Sequence, residues 1–320
     1  MAEFRTYTAI GQREDLSNTI FNIAPTETPV VSSIGKTKAT ATYHEWQTDD
    51  LAAASAAGLI EGADASGASD TPTTRVGNRT QIQGKTVHIS GTLDAVDKAG
   101  RKTETAYQLA KAGQELKRDM EKTILGNVAA SNGTAGSAAR LLGSIQSWLG
   151  TNFVTMTDGV APVNANGTAA RTEGATASAF TEDKLKDVVK SCFENGGNPT
   201  LLVVPPTQKQ VVSTFAGIAA QRYEAPAAKA TTIIGAADVY LSDFGTLSVV
   251  PDRFMTADTT PDAEQALVLD PTMASVATLR PFESNLLAKT GDSEKHQMLV
   301  EYTLQVSNEK AHGIVADLAV

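Results

Sequence analysis

The chain has 320 residues, 27 Lys and Arg against 36 Asp and Glu, a net charge of −9 and a single cysteine. That length predicts two lobes rather than one core. The charge excludes binding of nucleic acid through bulk attraction, and one thiol excludes an internal disulfide framework. Apolar residues reach 41% but aromatics only 5%, so the expected core leans on Ala, Val, Leu and Ile. No stretch approaches the roughly eighteen apolar residues of a membrane helix. The opening MAEFRTYTAIGQRED lacks the apolar run of a signal peptide. The Asn-x-Thr sequons at Asn78, Asn132 and Asn166 therefore carry no meaning.

Residues 1–35 read as an extended arm with a short turn through Leu16, Ile20 and Phe21. Pro25 and Pro29 then forbid regular helix, while Val30, Val31 and Ile34 leave apolar residues for docking. Residues 36–49 alternate as a strand, and residues 79–94 alternate again through Ile82, Val87 and Ile89. The two are expected to pair, with His44 facing His88 as a structural contact. Between them lie nearly thirty residues rich in Ala, Gly, Ser and Asp. Ordinary hairpin loops are far shorter, so this one is expected to project and be held by another subunit.

Thr103–Gly126 carries the longest helical signal. Ala106, Leu109, Ala110, Gly113, Leu116, Met120 and Ile124 form one stripe, with Lys111, Glu115, Lys117, Arg118, Glu121 and Lys122 opposite. Thr103 is the expected N-cap and Gly126 the stop. At about 1.5 Å per residue this helix spans roughly 33 Å. A short helix is expected over Leu141–Leu149 and a loop over 150–178. Thr181 should cap a helix with Leu185, Val188, Val189, Cys192 and Phe193 inside. A short buried strand at Pro199–Pro205 and a helix over Thr207–Phe215 complete an α/β lobe. Strands then follow through Val239 and Leu241, through Leu247 to Val250, and at Ala266–Leu269, Ser275–Arg280 and Met298–Ser307, and Gly313–Leu318 closes the chain.

Chemistry is scarce. Gly35-Lys36-Thr37 and Gly84-Lys85-Thr86 end like phosphate-binding loops, but Val30 and Arg79 stand where the first glycine belongs. No GxSxG occurs, Cys192 sits on an apolar helix face, and His44, His88, His296 and His312 lack metal-ligand spacing. No cofactor, metal or catalytic residue is expected. An arm, a projecting hairpin, a long helix, an α/β lobe and a β-rich tail suit a protein that packs against copies of itself.

That order of elements resembles the HK97-like fold of tailed-phage major capsid proteins. Short strings narrow the resemblance to the SU10-type major capsid family: Glu27-Thr28-Pro29-Val30, Tyr43 to Asp49 (YHEWQTD), Gln114 to Glu121 (QELKRDME), Asp238 to Gly245 (DVYLSDFG) and Val249-Val250-Pro251. The resemblance implies an α+β fold with an N-terminal arm at 1–35, an extended β-hairpin loop at 36–94, and a peripheral-domain spine helix within 95–139. It further implies an axial domain at 140–255 and strands at 256–320 that return to the peripheral domain. Copies would form the pentamers and hexamers of an icosahedral shell around double-stranded DNA, without reading its sequence. Assembly would occur in the bacterial cytoplasm, with a separate scaffolding protein, portal and possible decoration proteins, and no membrane.

Because residues 50–78 contain no lysine, no covalent crosslink at the loop tip is expected. The expected inter-subunit contacts are Tyr43 and Trp46 at the hairpin base, Arg75 toward a neighbour's acid, and Glu115, Arg118 and Glu121 on an exposed spine face. An encapsulin-type nanocompartment shell shares the fold and is the first alternative. Another virion part, such as a tail-tube or decoration protein, fits the central helix less well. An enzyme would need a convergent polar constellation that the sequence does not supply.

Overall fold

The computed structural model describes residues 26–62, 64, 72–155, 158–215, 238–255 and 263–319. The expected turn through Leu16, Ile20 and Phe21 lies outside these residues. Two sheets organise the described chain. One has four strands in the order β1, β10, β11, β4, namely Gly35–Lys38, Ala274–Leu286, Ser293–Val306 and Gln81–Ser90. The other has six in the order β5, β12, β9, β6, β8, β7: Phe153–Val154, Gly313–Ala319, Ala263–Leu269, Leu201–Val204, Gly245–Pro251 and Val239–Ser242. A two-stranded ribbon of β2 (Tyr43–Thr48) and β3 (Thr74–Arg79) stands apart from both.

The expected pairing of 36–49 with 79–94 is replaced by a finer division. β2 pairs with β3, while β1 runs parallel to β10 and β4 runs antiparallel to β11. His44 therefore sits opposite Asn78, and His88 opposite Lys295. The two histidines do not face each other. The sequence period is the same for either partner, so alternation alone could not choose between them.

Helix α3 spans Glu104–Leu125, and its position follows the sequence signal. Its details differ. Thr103 makes no side-chain cap; the Asp94 carboxylate accepts the Glu104 N–H at 3.1 Å instead. The buried face is Ala112, Leu116, Met120, Glu121, Ile124 and Leu125, whereas Ala106 and Ala110 are exposed. Only the C-terminal half of the predicted stripe meets the core, against β4 and β11. The remaining helices are α1 (Pro29–Ser33), α2 (Gly91–Ala95), α4 (Glu182–Glu194) and α5 (Pro206–Val212). Thr181 caps α4 as expected, accepting Lys184 N–H. The expected helix over 141–149 reduces to a single 3₁₀ turn at Ile145–Ser147.

The six-stranded sheet serves two cores. Strand residues alternate faces. Leu201, Val203, Leu267, Leu269 and Ile314 face the cluster that includes Met120, Ile124, Trp148, Tyr302 and Leu304. Leu202, Val204, Ala266, Val268 and Val315 face Leu185, Val188, Cys192, Val212 and Phe215 of the second cluster. In β12 the alternation breaks at Asp317, which has φ of +55° at a register shift between Val315 and Leu318. That bulge turns Leu318 onto the second cluster. The segment 256–320, expected to return as one piece, is split: β10 and β11 join the four-stranded sheet, β9 and β12 the six-stranded one.

Asp317 also anchors the long connection that precedes α4. Its Oδ1 accepts Arg171 Nη1 at 3.0 Å, and its Oδ2 accepts the Thr155 hydroxyl. Arg171 additionally donates to Gln146 Oε1 at 2.7 Å. Both charged side chains are buried. Replacing Arg171 with Met strands the Asp317 charge and should destabilise the unassembled subunit by about 3–5 kcal/mol. Urea unfolding measures the loss, and adding Asp317→Asn should recover part of it.

Candidate assembly interface

The β2–β3 ribbon is held by many contacts at its base and by few at its far end. At its base Trp46 stacks on Trp148, ring centroids 5.3 Å apart, and packs on the main core. The Arg79 guanidinium lies 4.5 Å from the Tyr43 ring centroid. His44 Nε2 bonds Gln305 Oε1 at 3.0 Å. Asn78 is fully buried and uses both ends of its amide. Its Nδ2 donates to the carbonyls of Gly143 at 2.9 Å and Leu304 at 2.8 Å, and its Oδ1 accepts the N–H of Gly143 at 2.8 Å. Gly77 admits no side chain: a Cβ there would stand 2.7 Å from Glu45 Cγ and 2.8 Å from His44 O.

Midway along the ribbon, Arg75 pairs with Glu45 of its own chain, Nε to Oε1 at 2.7 Å with a second contact through Nη2. Arg75 lowers the Glu45 carboxyl below its usual range through that hydrogen bond. The described residues between Thr48 and Thr74 belong to no helix or strand, and Leu51 (99%), Leu59 (99%) and Ile60 (81%) are almost wholly exposed. One bridge, Lys310 Nζ to Asp50 Oδ2 at 2.9 Å, tethers its start. Isolated exposed apolar residues are ordinary, but three on one projection form apolar surface that no described part of the chain covers.

The spine positions separate. Glu115 is half-buried and lies 3.9 Å from Lys111 one turn back. Arg118 is half-buried, its guanidinium 5.6 Å from the Phe254 ring centroid. Glu121 is not on an exposed face. It is fully buried, and its carboxylate accepts the N–H groups of Val30 at 2.6 Å and Val31 at 2.8 Å. Burial, reinforced by the Asp252 carboxyl beside it, pushes its pKa up to about 8. An open groove of about 560 Å³ runs between β4 and the C-terminal half of α3, lined by Gln81, Gln83, Asp119, Lys122, Thr123 and Val128. Among the described residues no three His, Cys, Asp or Glu side chains gather as a metal site, and no helix is long and apolar enough to cross a membrane.

A family model described as SU10 major capsid protein matches residues 4–319. The chain belongs to that family. It is similar to the major capsid protein of Escherichia phage Phieco32, with 38% identity over 123 residues, which span 38% of this chain and 35% of the relative. A solved structure from Mycobacterium phage Ogopogo superimposes with a TM-score of 0.62 at 14% identity, over 99% of this chain and 100% of that one. The holo-SrpI encapsulin complex of Synechococcus elongatus PCC 7942 gives 0.54 at 11% identity, over 99% and 97%. The fold is the HK97-like capsid fold. Encapsulin shares it, so the family match and not the shape separates the two.

In this capsid family member, the sequence pointed to Tyr43 and Trp46, and the structure places both at the ribbon base. They anchor it within the subunit. In the sequence Asn78 stands out only as part of an Asn-x-Thr sequon, although an Asn near a strand end is a common backbone tie. Replacing Arg75 with Glu sets like charges against Glu45 across the ribbon. Amide exchange over 43–48 and 74–79 should then accelerate while the rest of the subunit keeps its protection, as hydrogen–deuterium mass spectrometry would report.

Proposed function

We propose that this protein is the shell subunit of a tailed phage, closing into pentamers and hexamers of an icosahedral capsid around double-stranded DNA. The observation that carries the reading is the asymmetry of the β2–β3 ribbon within a capsid-family fold: a base fixed by Trp46, Tyr43 and Asn78, and an apolar, acidic loop at 49–64 with no body of its own to rest on. The loop lies over a neighbouring subunit, where the spine surface around Glu115 and Arg118 and the adjoining groove receive it. Arg75 and the outward edges of Tyr43 and Trp46 contribute at the ribbon.

Two further features fit. A net charge of −9 keeps the shell from adhering to phosphate, so the genome is enclosed without being bound or read. Contacts that are individually modest gain strength when repeated over a closed lattice. The loop offers no lysine for a covalent tip, so the lattice rests on non-covalent contacts there.

Electron microscopy of the expressed protein, with a scaffolding protein where needed, should show shells, rings or capsomers. A double substitution of Leu59 and Ile60 to Asp should leave subunit stability within about 0.5 kcal/mol, because both side chains are exposed. It should abolish assembled particles. A strict monomer under all conditions, or normal assembly by the double variant, would overturn the reading. Protein cargo in place of DNA inside purified particles would favour an encapsulin.

A further inference from the structure

The chain contains three Asn-Gly dipeptides, at 132–133, 166–167 and 195–196. Two of the asparagines, Asn132 and Asn166, head sequons to which the capsid reading gives no role. All three dipeptides carry the same latent chemistry. Glycine has no side chain to shield its backbone nitrogen, so that nitrogen can attack the Cγ of the preceding asparagine. The fold treats the three differently.

At Asn166 both reacting groups are held. Its Oδ1 accepts the Thr168 N–H at 3.2 Å and the Thr168 hydroxyl at 2.5 Å. Gly167 is buried and donates its N–H to the Ser147 carbonyl at 3.2 Å. It lies so close to Trp148 that a Cβ would stand 2.6 Å from the indole. At Asn195 the amide nitrogen donates to Asn152 Oδ1 at 3.0 Å and to the Ser191 carbonyl at 2.9 Å. The following Gly196 N–H donates to the Phe193 carbonyl at 3.0 Å.

Asn132 is exposed, and its side chain makes no hydrogen bond among the described residues. The Gly133 N–H meets the exposed hydroxyl of Ser131 at 3.2 Å. The turn around the pair is nevertheless well defined. Ser131 and Leu141 exchange backbone bonds of 2.9 and 3.0 Å, and Thr134 and Ala138 exchange two of 3.0 Å. Gly133 has φ of +66°, and a Cβ there would stand 2.5 Å from the Ala138 carbonyl oxygen. The turn therefore requires glycine after Asn132 but does not tie down the Asn132 amide.

We propose that Asn132 is a site of spontaneous covalent modification, deamidating through a succinimide while the fold protects Asn166 and Asn195. The Gly133 nitrogen gives its proton to hydroxide and bonds to Asn132 Cγ. The Cγ–Nδ2 bond breaks, and Nδ2 leaves as ammonia. Water then opens the ring at either carbonyl, giving aspartate or isoaspartate. Both products add a negative charge to the turn. Isoaspartate also lengthens the main chain by a carbon where Gly133 already touches Ala138, so it opens the Thr134–Ala138 bridge. The change accumulates with the age of the subunit and runs faster as pH rises.

The test incubates the full-length folded protein at mildly alkaline pH and follows each asparagine by peptide mass spectrometry, where conversion adds about 1 Da. A parallel sample in guanidinium chloride gives the intrinsic rate of each site. In the folded protein Asn132 should convert about tenfold or more faster than Asn166 and Asn195, because those two react only when the fold opens locally. In guanidinium the three rates should converge, since glycine follows every one of them. Labelling by an isoaspartyl methyltransferase should follow the same course and fall to background in Asn132→Gln, whose side chain is exposed and whose longer amide closes a ring far more slowly. Equal rates at the three sites in the folded protein, an excess at Asn132 that persists unchanged in guanidinium, or undiminished labelling of the variant would overturn the proposal.

Discussion

A sheet has two faces, and the six-stranded sheet here uses both. Its central strands carry no polar side to show to water. Leu201, Val203 and Leu267 look toward the spine helix and the long β10–β11 pair, while Leu202, Val204 and Val268 look toward α4 and α5. Strands buried on both faces read as continuous apolar runs, as in LLVV at 201–204. The consequence is mechanical. The lobe beyond the sheet and the body around the spine do not pack as two separate cores; they share a wall. A displacement of the spine helix is felt through Leu201 and Leu267 by the layer behind them, because close-packed interiors transmit strain. That coupling suits a subunit that packs against copies of itself.

Against this rigid body the β2–β3 ribbon is a lever with a fixed fulcrum. The stacking of Trp46 on Trp148 and the three bonds of the Asn78 amide to Gly143 and Leu304 are made with the interior of the subunit, not with the solvent face. Their effect is to set the direction in which the ribbon leaves the body. The loop beyond Thr48 has none of this, and its apolar residues are among the most exposed of the chain. Ordering such a loop carries an entropic cost that has to be met when a partner binds. A ribbon already aimed by its base reduces that cost, since only the loop remains to be fixed.

The elements that depend on local pattern were readable from the residues. The spine helix at 104–125, the capped helix after Thr181 and the strand alternating through Val300, Tyr302, Leu304 and Val306 all stand where periodicity puts them. What escaped is non-local. β1 and β4 alternate as well for β10 and β11 as for each other, so their true partners could not be chosen from the sequence. Glu121 lies among Lys117, Arg118 and Lys122, and helical spacing assigns it to the polar face; in the fold it is buried, with α1 from ninety residues upstream seated on its carboxylate. The bulge at Asp317 is equally invisible, because nothing in GIVADLA marks a change of face. The family resemblance carried the order of elements past these gaps, and it did so without any knowledge of the contacts.

The buried polar groups share a location. Asn78 ties the ribbon to Gly143 and Leu304; Glu301 gathers Arg140, Arg280 and Thr80; Asp317 joins Arg171 to Thr155; Glu121 joins α1 to the spine. In every case the partners are far apart in sequence and come from different elements. Apolar contacts tolerate sliding and repacking, whereas a buried amide left without its partner costs about 1–3 kcal/mol and a stranded charge about 3–5. Such groups therefore favour one register among the many that an Ala- and Val-rich core would accept. A subunit poor in aromatics gains its definite shape from these few polar ties, and a definite shape is what a closed lattice demands of every copy.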